Sequence, residues 1–93
     1  MISEDLAGFD AARPYEKHPQ VAIRPESFGA LAYHYGNRRL VFLKSRPLVE
    51  LVTSLERYPS ASAAIGALVP EAQRGSYERA LARLAASEVI DAG

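Results

Sequence analysis

Ala30-Leu31-Ala32-Tyr33-His34-Tyr35-Gly36-Asn37-Arg38-Arg39-Leu40-Val41-Phe42-Leu43 is the stretch that decides the fold. Leu31, Tyr33 and Tyr35 alternate with Ala30, Ala32 and His34. That is the period-two pattern of a strand, and its aromatics suit a pleated surface. Gly36-Asn37-Arg38 reads as a hairpin turn, because Gly and Asn accept positive φ at little cost. Leu40-Val41-Phe42-Leu43 follows as another strand, apolar on both faces. Upstream, Val21-Ala22-Ile23-Arg24 is a short strand held between Pro19 and Pro25. Proline lacks the amide that a ladder needs, so it marks strand ends and outer strands. Residues 20–44 therefore predict a three-stranded antiparallel meander.

Beyond the meander the apolar spacing changes to three and four. Leu48, Leu51, Val52 and Leu55 make an amphipathic stripe, and Pro47 suits the first helical position. Tyr58-Pro59 ends that helix, since a residue before proline is driven out of the α region. Ser60 caps a short second helix through Ala61, Ala64, Ile65 and Leu68, which Val69-Pro70 breaks. After a turn at Gly75, Ser76 opens a third helix with the stripe Tyr77, Ala80, Leu81, Leu84 and Ala85. Val89 and Ile90 form a small apolar latch. Residues 1–19, with Gly8, Pro14 and Pro19, read as an N-terminal arm of little structure, pinned by Phe9 and Tyr15. Strands followed by helices give an α+β domain over residues 20–90, a three-stranded meander leading into a three-helix bundle.

The composition narrows the function. A chain of 93 residues suits one domain, and 48% hydrophobic residues exclude wholesale disorder. There is no cysteine, which excludes a disulfide framework, a thiolate nucleophile and a cysteine metal site. Lys+Arg and Asp+Glu are both 11, for a net charge of zero. Nucleic-acid binders usually carry a basic excess, so that class is disfavoured. Met1 to Asp10 has acidic residues and no basic segment followed by an apolar run, so it does not read as a signal peptide. No apolar run approaches the roughly 20 residues of a membrane span. A cytoplasmic location without membrane association is expected.

Candidate chemistry is sparse. His18 and His34 are the only histidines, and no third ligand stands at metal spacing. Neither has a neighbouring Ser or Thr in the pattern of an activated nucleophile. Gly29 and Gly36 are isolated and make no phosphate-cradling loop. No catalytic set, cofactor or metal is expected, and the chain does not read as an enzyme. Arg38-Arg39 and Lys44-Ser45-Arg46 bracket the third strand with positive charge. They are either solvated turn residues or a frame for an acidic partner. Arg74, Arg79 and Arg83 alternate with Glu71, Glu78 and Glu88, which reads as a mixed solvated face. The sharper clue is the sheet edge. In a meander the first and third strands are both outer strands. Prolines blunt the first; the third has none between Arg38 and Arg46. An unblunted edge beside a helix is a seat for an added peptide strand.

Three segments carry a resemblance: His18-Pro19-Gln20-Val21-Ala22-Ile23-Arg24-Pro25-Glu26, Phe28-Gly29-Ala30-Leu31 with Tyr33-His34-Tyr35-Gly36, and Arg38-Arg39-Leu40 with Phe42-Leu43-Lys44. They resemble the mycofactocin biosynthesis chaperone family, within the PqqD-like recognition elements for ribosomally made precursor peptides. The likeness runs from about Phe9 to Ile90, by letters in the strands and by pattern in the helices. It implies a winged-helix-like arrangement without catalysis or cofactor. The leader of the precursor peptide would add alongside the third strand and lie against the third helix. It would then be presented to a radical SAM maturase carrying iron–sulfur clusters, which acts on a C-terminal Val-Tyr. Carried onto this chain, one wall is Arg39, Leu40, Val41, Phe42, Leu43 and Lys44. The other is Tyr77, Ala80, Leu81 and Leu84. The alternative from another class is a winged-helix DNA-binding regulator. Zero net charge weighs against it, as does the placing of strands before helices, since a groove-reading helix normally follows another helix.

Overall fold

The structure, a computed structural model, describes residues 8–92. Its main sheet has the order β2-β3-β4, with β2 at Val21–Glu26, β3 at Gly29–His34 and β4 at Leu40–Leu43. All pairings are antiparallel, with Val21 opposite His34, Ala32 opposite Val41 and Tyr33 opposite Leu40. Alternation divides β3 into two sets, and the small set faces the core. Ala30, Ala32 and His34 are buried, while Leu31, Tyr33 and the following Tyr35 face outward. Small inner residues let helix α1 (Arg46–Ser54) approach the sheet closely, and Leu51 of that helix is fully buried. Further core residues come from strands and helices alike and include Val21, Leu43, Leu55, Ile65 and Leu81.

The β3–β4 turn differs from the sequence expectation. Positive φ falls on Arg38 (64°), not on Gly36 or Asn37. His34 N donates to Arg39 O at 3.0 Å, so the loop has four residues, and such loops are most often built around a type I turn. The Arg39 amide donates to Asn37 Oδ1 at 2.9 Å. His34 Nδ1 accepts the amides of Gly36 and Asn37 at 3.0 and 3.1 Å. The imidazole therefore organises a turn that glycine and asparagine were expected to form unaided.

The helices follow their caps. Ser45 Oγ accepts from Leu48 N at 3.2 Å, and Pro47 lies in the first turn of α1, as expected. A 3₁₀ turn at Leu55–Arg57 carries the chain to Tyr58-Pro59. Ser60 caps α2 (Ala61–Leu68) through Ala63 N at 3.0 Å, and Val69-Pro70 closes it. The third helix starts earlier than its sequence suggests. A 3₁₀ turn at Glu71–Gln73 runs into α3 (Arg74–Ala86), which takes in Gly75 and Ser76 without a side-chain cap. Arg74 instead ties the junction together, donating to Val69 O and Gly66 O at 2.9 and 3.0 Å.

The larger correction is at the termini. The segment 1–19 was expected to carry little structure, and residues 1–7 of it lie outside the described residues. Within the rest, Tyr15–Lys17 forms β1 and pairs antiparallel with β5 (Ile90–Ala92), making a second sheet. Tyr15 is buried and stacks on Phe9, with ring centroids 5.0 Å apart. The apolar latch of Val89 and Ile90 is thus a strand anchor, both residues being buried. Its partner is too short and too polar, as Tyr-Glu-Lys, to show a period-two pattern of its own.

Candidate functional site

β4 pairs only with β3, so its other edge is unpaired among the described residues. Beside it a cleft of about 420 Å³ opens between β4 and α3. Val41, Phe42 and Lys44 line one wall, Ala80, Arg83, Leu84 and Ser87 the other, and Leu48 of α1 lies at the same cleft. The antiparallel ladder explains why this edge can receive a strand. His34 donates to Arg39 O, and alternation from that pair turns the N–H and C=O of Leu40 and Phe42 toward the open side. Main-chain groups that meet only water in the free protein are thus available to a second chain.

The predicted walls are brought together in part. Val41, Phe42, Lys44, Ala80 and Leu84 line the cleft. Leu43 and Leu81 do not, because both are 0% exposed and belong to the core. Leu40 points to the outer face of the sheet, opposite the helices, as its pairing with outward Tyr33 requires. Arg39 sits in the exposed end of the β3–β4 turn. Tyr77 is half-buried against the core, and its hydroxyl lies 3.3 Å from Ser45 Oγ, joining α3 to the start of α1. Leu48, Arg83 and Ser87 were missed. Ser87 follows the last helical residue, and Arg83 alternates with glutamates in the sequence, so neither bears a one-dimensional signal. Lys44 and Arg83 give the cleft two cations and no carboxylate, and neither is ion-paired among the described residues. An extended segment with apolar side chains and a carboxylate fits such a site.

A second cluster joins His18, His34 and Glu88, whose ligand atoms all lie within 4.8 Å of one another. The hydrogen bonds argue against a metal there. Nδ1 of His34 accepts two backbone amides, and Nδ1 of His18 accepts the Gln20 amide at 3.0 Å. Each neutral imidazole must then hold its proton on Nε2, which leaves no lone pair for a cation. The His34 Nε2 is buried without a hydrogen-bond partner among the described residues, 3.8 Å from Glu88 Oε1. The two rings pack with centroids 4.5 Å apart. The ring contact holds the end of β3 against the turn before β2, with the exposed Glu88 carboxylate beside it.

The chain matches the peptide chaperone MftB family over residues 14–91. A protein of Mycobacterium tuberculosis named peptide chaperone MftB is 46% identical over 87 residues, covering 92% of this chain and 80% of that protein. The protein of the same name from Mycolicibacterium smegmatis is 45% identical over 93 residues, covering 99% and 90%. That of Mycobacterium ulcerans is 45% identical over 83 residues, covering 88% and 76%. No solved structure matches the chain. The chain belongs to the peptide chaperone MftB family, the mycofactocin chaperones, which are non-catalytic. Among the described residues no helix is long and apolar enough to cross a membrane.

Proposed function

From that membership we propose that the chain captures the leader of a ribosomally made precursor peptide by strand addition at β4. It then presents the peptide, in the cytoplasm, to a radical SAM maturase of mycofactocin biosynthesis. The observation that carries this reading is the unpaired edge of Leu40–Leu43 lying directly against the apolar, cationic cleft. Strand addition divides the work between two kinds of contact. Main-chain hydrogen bonds to Leu40 and Phe42 set register regardless of sequence, and side chains entering the cleft select the peptide. Each net hydrogen bond contributes only about 0.5–1.5 kcal/mol. The backbone ladder alone therefore falls short of micromolar affinity, about 8 kcal/mol, and the cleft must supply the rest. Alternate residues of the added strand face the cleft, so its apolar residues recur at every second position there. An acidic residue among them reaches Arg83 or Lys44.

The other outer strand, β2, is a poorer seat. Pro25 lies within it and has no amide to offer. The test is titration of isotope-labelled protein with the precursor peptide, read by amide shifts. Shifts are expected at residues 39–44 and 80–87. Shifts centred on Val21–Glu26 would overturn the choice of edge, and absence of binding would overturn the reading as a whole.

A further inference from the structure

The outer face of the main sheet carries an apolar surface that meets the peptide cleft only at Phe42. Phe28, Tyr35, Leu40 and Phe42 are 42%, 60%, 60% and 56% exposed. They form one patch. Phe28 and Phe42 have ring centroids 5.5 Å apart, and Tyr33 and Tyr35 meet edge to face at 5.3 Å. The register places Leu31 beside Phe42 and Tyr33 beside Leu40, bridging the two aromatic pairs. Contiguous apolar surface of this kind on a folded chain marks a docking site far more often than chance.

Arginines outnumber acids around the patch. Arg24 lies on the same face, in register with Leu31, and Arg38 and Arg39 end the β3–β4 turn at its border. Glu26 is paired with Arg24 at 3.0 Å and offsets that cation, so Arg38 and Arg39 carry the charge of the border. A cationic border selects a partner whose own border is acidic. It also disfavours a second copy of this chain, because a two-fold interface would set the same arginines against each other. A single-stranded nucleic acid could in principle stack on aromatics framed by arginines, but the chain's zero net charge gives it no excess attraction for phosphate.

We infer that this outer face docks the enzyme that acts on the bound peptide, through an apolar surface on that enzyme with an acidic border. The inference rests on the strand-addition reading, and continuity with the peptide site carries it. β4 belongs to both surfaces: Val41 lines the cleft, and Leu40 faces outward. A strand added at its edge extends the sheet and contributes every second side chain to the outer face. An enzyme seated there touches chaperone and peptide together. Peptide loading then enlarges its docking surface, and enzyme and peptide bind cooperatively.

The test uses the double variant Tyr33→Ser, Tyr35→Ser, whose rings pack on each other and line no part of the cleft. Circular dichroism and melting establish that it folds; Tyr35→Ser alone is the substitute if it does not. Precursor peptide is titrated first, into the parent protein and the variant, and both should bind within twofold of each other. Loss of binding by the parent would refute the strand-addition reading, not the docking face alone. Purified radical SAM maturase is titrated next, with and without saturating peptide. Affinity of the variant for the maturase should fall at least tenfold, and peptide should tighten binding to the parent. Equal maturase affinity in parent and variant overturns the inference. So does a dimer of the parent that the variant abolishes, or a mixed-sequence single-stranded RNA that binds the parent and not the variant.

Discussion

Gly29→Ala and Gly66→Ala are the same chemical change with opposite expected outcomes. Gly29 has φ 149°, in a region closed to side chains, and it opens β3 opposite Glu26. A Cβ there would overlap the Leu43 carbonyl oxygen and stand 2.9 Å from Ser45 N. Both obstacles are backbone and cannot rotate away. The C-terminal end of β4 and the cap of α1 would have to move. Overpacking typically costs ~1–3 kcal/mol, and an unfavourable backbone region ~1–3 kcal/mol more. The sum, roughly 2–6 kcal/mol, is a large share of the ~5–15 kcal/mol that stabilises a domain. At ~4–8 °C per kcal/mol for a chain this size, the melting temperature should drop by roughly 10–50 °C. Gly66 lies inside α2, with nothing within 4 Å of an added Cβ. Alanine there should raise stability by ~0.5–1 kcal/mol, a few degrees. Thermal unfolding followed at 222 nm measures both. A drop below about 5 °C for Gly29→Ala, or any drop for Gly66→Ala, would refute the steric reasoning. Because Gly29 abuts β4, its variant should also weaken peptide binding well below its melting point.

Leu51→Ala should cost about 2–5 kcal/mol and leave peptide affinity unchanged where the variant is still folded, because Leu51 touches no part of the cleft. Leu84→Ala should lower both, and calorimetry at a low temperature separates the two effects. Arg83→Glu should slow peptide association in stopped-flow traces at low salt, with the difference shrinking as the screening length falls to about 8 Å at physiological ionic strength. Ile90→Ala should lower the melting temperature as a core substitution does, through a loss of about 2–5 kcal/mol; a change under a few degrees would mean that the β1–β5 sheet contributes little. Glu88 has φ 65° just past the end of α3, with Val89 N donating to Leu84 O at 2.8 Å as in a Schellman cap. Glu88→Gly should therefore stabilise by about 1 kcal/mol, seen as a higher melting temperature.

Local signals were sufficient for much of this chain. The alternation over 30–35 specified a strand, since a period of two admits no other regular structure, and the turn signal after it made the apolar run at 40–43 its hairpin partner. Ser60, Pro59 and Pro70 bounded the second helix through hydrogen-bonding and steric effects that reach only a few residues. The open edge of β4 was legible for the same reason, from the prolines that β2 has and β4 lacks. What the letters left open depends on partners distant in the chain. Period two sorts Ala30, Ala32 and His34 from Leu31, Tyr33 and Tyr35 but does not say which set is buried. The approach of α1 decided for the small set and left the aromatics outside. Leu81 and Leu84 share one stripe, yet only Leu84 reaches the cleft, because the rotation of α3 about its axis is set by packing on the core. Arg83 reads as one cation among balancing glutamates until α3 is laid beside β4. Tyr15–Lys17 is too short to declare itself a strand; it becomes one when Ile90–Ala92 arrives to complete its hydrogen bonds, a pairing across nearly the whole chain that no local preference encodes.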